Sequence, residues 1–323
     1  AFRSGAPRGR QTARPSTEST SSPPAAWSNE RLPQTWSNRL GRTLTPITQG
    51  IWAAERPFVW NGIDVGGRMA VARMCDGSLW VHSPVNLDPA LEEGLASLGG
   101  GVGHVVSPNF EHLKYAQQWA SGFPEAHLHA CPGLPEKMPE LGWRAGGTRR
   151  GEVPESWAET MEVAFLDCEV NPFTGNPFFN EVVFFHVPSK ALFVTDLWWN
   201  YPSGPRPNFR GETGAEGTGR VHDCSKVPIP LEDCCFEGGA GVPMLPAVDV
   251  PVGTKLWKFG MDRIYLPFYK RFMVGSRGNG RRERFEATVE RILGWEAEVL
   301  VPCHGDVLRG KEAIRKALTD HLL

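Results

Sequence analysis

The sequence predicts an α/β domain, and three patterns carry the prediction. Val105–Trp119 passes from a short apolar strand to a helical repeat across one polar loop; Asp88–Leu98 repeats leucines at helical spacing; Met69–His82 and Glu181–Thr195 read as β-hairpins. At 323 residues and 41% hydrophobic content the chain can bury a large core, which fits one main domain. A formal net charge of −2 gives no basis for bulk nucleic-acid or membrane-surface binding, and no apolar run approaches the roughly 18 residues that a membrane helix needs.

Residues 1–42 hold seven arginines against two glutamates amid Ser, Thr, Pro and Ala, and are expected not to fold alone. Arg- and Ser-rich, acid-poor leaders resemble organellar transit peptides, and Ala1-Phe2 resembles the cleavage junction of proteins imported into complex algal plastids. A chloroplast or plastid location is the expectation; an ordinary disordered tail would leave a cytoplasmic one. The main domain is expected over residues 43–323.

From Leu44 onward, β-rich runs are broken at Asn61-Gly62 and Asp76-Gly77, which marks hairpins. His82 ends a strand before Ser83-Pro84, as a crevice group or a structural one. Asp88 is the expected N-cap of a helix with Pro89 at its first position, and Gly99–Gly101 stops it. Those glycines lack the Lys-Ser/Thr and the strand-to-helix order of a phosphate loop.

Gly103–Val106 then forms a buried strand, and Leu113, Ala116, Gln117 and Ala120 repeat as a helix with Asn109 as a plausible cap. A loop at the carboxyl end of such a strand faces a crevice, so Asn109, Glu111 and His112 are candidate site residues. Ala126–Ala130 puts His127 and His129 on one strand face, a pair able to share a metal but read as structural at a sheet edge. After a polar connector over 137–160 and a strand at Met161–Leu166, a hairpin delivers Asp196 at the end of its second strand. Glu181 and His186 point to opposite faces of the first strand; Glu181 stands at its open end, and His186 is either a buried hydrogen-bonder or a functional group.

Residues 202–250 form a Pro/Gly-rich insertion of the kind that covers sites or makes partner surfaces. Trp257–Phe272 is aromatic and cationic, and is expected as a buried helix displaying its lysines and arginines. A last strand at Val299–Val301 runs into Pro302-Cys303-His304-Gly305-Asp306. The seven cysteines, odd in number and without a Cys-x-x-Cys pair, are expected as reduced thiols.

These loops, in this order, resemble the metallo-β-lactamase fold superfamily. Its first junction reads His-x-His-x-Asp-His, its hairpin ends in an aspartate, and its last strand runs into a Pro-x-His-Gly loop. The first frame here is Ser107-Pro108-Asn109-Phe110-Glu111-His112, and its Pro-Asn-x-x-His signature is similar to the plant, algal and cyanobacterial family called domain of unknown function 4336. The resemblance covers roughly residues 44–323. It implies an αββα sandwich, two mixed β-sheets flanked by helices, with His112, Asp196 and His304 at retained metal-ligand positions and histidines lost at Ser107 and Asn109.

The implied chemistry is hydrolysis of an ester, thioester or phosphoester at one divalent metal (zinc, iron or manganese), with Glu111 or Glu181 completing the ligand set or acting as general base. The rival reading is a fold kept without any metal as a binding or scaffold protein, its partner a small molecule or a plastid protein. In that reading His112, Asp196 and His304 bond to one another.

Overall fold

The computed structural model describes residues 32–143, 153–202, 249–275, 278 and 280–323. The leader up to residue 31, most of the 202–250 insertion, and Cys224, Cys234 and Cys235 lie outside the described residues.

The first half of the chain builds one sheet. In chain order it contributes β1 (Thr45–Thr48), β2 (Ile51–Arg56), a two-stranded ribbon of β3 (Val59–Trp60) and β4 (Ile63–Asp64), β5 (Gly67–Arg73), β6 (Leu79–His82), α1 (Pro89–Leu98), β7 (Val102–Ser107), α2 (Ala116–Gly122) and β8 (His127–Ala130). The sheet order is β1-β2-β5-β6-β7-β8; the β6–β7 and β7–β8 pairs are parallel and the rest antiparallel. The second half adds α3 (Leu134–Lys137), β9 (Met161–Phe165), β10 (Val182–His186), β11 (Ala191–Val194), α4 (Val252–Gly260), α5 (Arg281–Gly294), β12 (Val299–Pro302), β13 (Leu308–Arg309) and α6 (Lys311–Leu322). Its sheet runs β13-β12-β11-β10-β9, with β11–β12 the parallel pair.

Local chemistry sets the turns as the sequence predicts. Asp76 Oδ1 accepts from the Ser78 backbone N–H and hydroxyl at 2.8 and 2.7 Å, and Gly77 supplies the positive φ of 85° that closes the β5–β6 hairpin. Asp88 Oδ1 accepts from Leu91 N at 2.8 Å and caps α1.

The two sheets face each other across one core: Ala53, Trp80 and Val106 of the first meet Val163, Phe184 and Phe193 of the second. On the outer face of the first sheet, Trp52, Val71 and Leu128 pack under Leu91 and Leu95 of α1 and Trp119 of α2. On that of the second, Phe185, Leu192 and Leu300 pack under Phe285 and Val289 of α5 and Ile314 and Leu318 of α6. Both faces of both sheets are thus covered, which is why their strands read as continuous apolar runs. The layers are α, β, β, α, as expected.

Three expectations need correction. Residues 32–42, assigned to the unfolded leader, pack on the domain: Leu32 N donates to Gly41 O at 2.8 Å, and Trp36, only 2% exposed, donates its indole N–H to Asp64 Oδ2 at 2.8 Å. A single tryptophan anchored by one half-buried carboxylate replaces the periodic pattern on which the leader boundary rested. The helix after the first junction starts at Ala116, not at the loop, because Asn109 caps a turn over 109–112 instead. Trp257–Phe272 is helical but not buried: α4 runs on through π-type turns at Met261–Tyr265 and Tyr269–Met273, and Leu256, Phe259, Ile264 and Phe272 stand exposed. No helix among the described residues is long and apolar enough to cross a membrane.

Candidate metal centre

The parallel pairs β6–β7 and β11–β12 end on the same edge of the sandwich, so the loops after these strands converge there. The loop after β7 brings Asn109, Glu111 and His112; the loop after β11 brings Asp196; the loop after β12 brings His304. His112 Nε2 lies 3.3 Å from Asp196 Oδ2, and His304 Nε2 lies 3.9 Å from Asp196 Oδ1. One donor atom from each of the three lies within 4.8 Å of the others. Their side chains keep 13–17% exposure, so all three reach the cavity above them.

The second nitrogen of each imidazole is already engaged. His304 Nδ1 is 2.7 Å from Gly66 O. A carbonyl only accepts, so Nδ1 carries the proton, and it is Nε2 that offers its lone pair on the Asp196 side when the ring is neutral. His112 Nδ1 is 2.6 Å from Ser83 Oγ, which leaves its Nε2 directed at the same carboxylate. Donors about 2.0–2.1 Å from a tetrahedral ion stand about 3.3–3.4 Å apart, close to the His112–Asp196 distance and somewhat short of the His304–Asp196 one. Two outward-anchored imidazoles and a carboxylate therefore fit one divalent cation, with Ser83 and Gly66 orienting the rings.

Burial disfavours charge on all three groups, but they answer differently. Asp196 is held below the ordinary carboxylate range, since His112, His304 and Asn109 together outweigh its desolvation. His112 rises well above the ordinary histidine range despite burial, because Asp196 and then Cys303 favour its charged form. His304 falls, burial and the His112 charge outweighing Asp196.

Asn109 is fully buried. Its amide donates to Asp196 Oδ2 at 2.6 Å and Thr195 Oγ1 at 2.9 Å, while its Oδ1 accepts from Glu111 N at 2.9 Å and His112 N at 3.0 Å. One amide thus ties two ligand loops together. Ser107 is buried beneath the loop.

The remaining sequence candidates separate. Glu111 sits on the cavity rim, where lost hydration and then Asp196 raise its carboxyl above the ordinary value. Glu181, expected to act in the crevice as ligand or base, is turned away from it: 1% exposed, it accepts from Thr195 N at 2.7 Å and Leu197 N at 2.8 Å, the two amides that flank Asp196. Burial and then Asp196 push its carboxyl up to about 7. The β11 turn has to bind its buried N–H groups somewhere, and Glu181 is spent on that. His82 lies under the centre, stacked on Trp80 and 4.0 Å from Cys303 Sγ, its pKa pushed down to about 3 by burial and then by His112. His186 is at the far end of β10, bonded to Ser189 Oγ at 2.7 Å and Arg73 O at 3.1 Å.

Sequence reasoning missed Arg68. It lies within β5, pairs with Glu55, and donates to Pro302 O at 2.8 Å and Gly305 O at 2.5 Å, so one guanidinium clamps the His304 loop to the other sheet. An arginine inside an apolar strand was the available signal. Ser83, read only as a strand break, is the other omission.

Above the ligands opens a cavity of about 340 Å³ walled by Phe58, Val85, Phe179, Trp199, Tyr201 and Tyr265, with Lys114 on its wall. The Lys114 ammonium lies 4.7 Å from the Phe58 ring centre and 5.3 Å from that of Tyr115.

The family described as domain of unknown function 4336 matches residues 48–213. No curated protein matches the chain. Among solved structures, the chain is similar to the DIM-1 metallo-β-lactamase exposed to ceftazidime (TM-score 0.45, 11% identity, 91% of this chain and 98% of that one). It is similar also to the metallo-β-lactamase FIM-1 from Pseudomonas aeruginosa in its mono-zinc form (TM-score 0.45, 13% identity, 87% and 94%) and to the metal-soaked Flv1 flavodiiron core from Synechocystis (TM-score 0.48, 11% identity, 86% and 60%).

Proposed function

We propose that this chain, which belongs to the domain of unknown function 4336 family, is a one-metal hydrolase acting on an ester, thioester or phosphoester with a bulky apolar portion. The observation that carries the reading is the pair of imidazoles whose Nε2 atoms converge on Asp196 while their Nδ1 atoms are held by Ser83 and Gly66. His112, Asp196 and His304 would hold one zinc, iron or manganese ion, which when bound supplies a water acidified toward neutral pH and a Lewis acid for the carbonyl or phosphoryl oxygen.

The chain's own groups supply the rest. Asn109 fixes Asp196 by its amide and, standing where a histidine ligand is lost, limits the centre to one ion. Glu111, on the rim with a raised pKa, is placed to take the proton of the attacking water and return it to the leaving group. The aromatic wall binds the apolar part of the substrate and excludes bulk water, and Lys114 draws in an anionic end.

A second reading has one observation in its favour. At 3.3 Å, with His112 raised and Asp196 lowered, the pair also serves as an ion pair that closes the floor of a binding cavity. Elemental mass spectrometry on the purified full chain, beside an Asp196→Ala, His304→Ala double variant, separates the two. We expect the double variant to carry close to one equivalent of metal less than the wild type, with hydrolysis of p-nitrophenyl acyl esters rising with acyl length and lost in the same variant. Equal metal in both proteins, or none in either, would sink the hydrolase reading and leave the binding cavity.

A further inference from the structure

Three more histidines gather at the opposite end of β7. The parallel register sets His104 beside His127 and Val106 beside His129. Strand alternation then keeps all three imidazoles on the face that carries Val106 toward the second sheet, while Val105 and Leu128 turn to the helices. Because β8 is the edge strand, this face opens at the margin of the sandwich. Trp157 closes it from the connector, its ring centre 4.5 Å from that of His129 and 5.3 Å from that of His104.

His104 Nδ1 lies 3.1 Å from His129 Nε2, and one nitrogen of each of the three rings lies within 4.8 Å of the others. His104 and His129 are 7% and 4% exposed; His127 is only half-buried and gives the cluster its way out to solvent. Burial and then His127 push His104 down to about 4, so the ring is neutral at physiological pH, the form in which imidazole binds metals. Asp76, on the hairpin turn nearby, contributes a negative charge toward His104.

We propose that His104, His127 and His129 form a second cation site, built from three imidazoles and selective for a zinc-, copper- or nickel-type ion, independent of the Asp196 centre. All-nitrogen sets favour these ions over magnesium, calcium and manganese, which prefer oxygen ligands. A bound ion would fasten the edge strand β8 to β7, the strand whose other end carries the Asn109–His112 loop, and leave a fourth position for water.

The test is zinc binding to the untagged full chain at pH 7, followed by competition with a chromophoric chelator, for the wild type, His127→Asn and the Asp196→Ala, His304→Ala variant. One zinc equivalent should survive in the Asp196/His304 variant and be lost, or weakened at least tenfold, in His127→Asn, and magnesium should not displace it. Zinc should also raise the melting temperature of the Asp196/His304 variant, and raise that of His127→Asn, where only the Asp196 centre remains, less than that of the wild type. Unchanged zinc equivalents and affinity in His127→Asn would overturn the proposal. Imidazole ¹⁵N shifts of the wild type decide the matter without any variant: zinc should move the resonances of His104, His127 and His129 together, and unmoved resonances would refute the site.

Discussion

Single buried carboxylates show how far environment, rather than residue type, sets chemistry in this molecule. Glu181 and Glu169 are both 2% exposed or less, yet one accepts from two backbone amides beside Asp196 and the other accepts from the Tyr269 hydroxyl inside the second core. Burial raises Glu169 from 4.5 to about 8, its bond from Tyr269 opposing only in part. The sign follows directly: the folded state holds a proton that the unfolded chain releases above about pH 4.5, so Glu169 costs stability progressively as pH rises toward 8 and nothing more beyond it. Glu169→Gln keeps the shape and an acceptor for Tyr269 without the titration. Denaturant unfolding at pH 5 and pH 9 should show the variant gaining on the wild type by a few kcal/mol between the two, the order that the shift implies. Parallel stability curves would rule out a buried proton at this position. Nothing in Asp167-Cys168-Glu169-Val170 signals this in sequence, because the cost of a buried acid depends on partners a hundred residues away.

Loops of the second sheet carry two of the three ligand residues, and their mutual position rests on a few backbone contacts. Asn200 N donates to His304 O at 3.1 Å, Asp306 N donates to Asn200 O at 2.9 Å, and Arg68 reaches across from the first sheet to Pro302 O and Gly305 O. Gly305 is the point of closest approach: its φ is +86°, and a Cβ there would stand 2.1 Å from the Asn200 carbonyl carbon. Gly305→Ala therefore has to push apart the loops that present Asp196 and His304. We expect a loss of more than about 2 kcal/mol in denaturant unfolding, with metal binding at the Asp196 centre weakened beyond what the loss of stability explains. Wild-type stability in the variant would mean that the loops are not in contact. The order of the candidate ligands was legible here, because a His-Gly pair after an apolar strand and an Asp ending a hairpin are local signals. The tethers were not. Arg68, Ser83 and Gly66 act through bonds to residues up to 238 positions away, and local patterns carry no record of such pairings.

Across the whole molecule, the layer order was readable because sheets covered on both faces leave unbroken apolar runs, and α1, α5 and α6 repeat apolar residues toward one side only. The helix from Val252 to Met273 broke that logic. Trp257, Met261, Tyr265, Tyr269 and Met273 recur at every fourth residue, and they face the cavity or the second core. A spacing of four is wider than the roughly 3.6 residues of an α turn, and the π-type turns at Met261–Tyr265 and Tyr269–Met273 hold these side chains in one line. Leu256, Phe259, Ile264 and Phe272 are left outside, with Phe259 61% and Ile264 67% exposed among Lys255, Arg263 and Arg271. Counting apolar residues could not separate the two sets, which is why the segment read as a buried helix. If the outer row buries nothing within the chain, Phe259→Ser with Ile264→Ser should change unfolding free energy by no more than about 0.5 kcal/mol. The same pair should lower self-association in light scattering at high protein concentration, as expected when an exposed apolar patch is broken. A loss above about 2 kcal/mol would show instead that another part of the chain covers this face, and would make the cavity it borders more enclosed than its walls indicate.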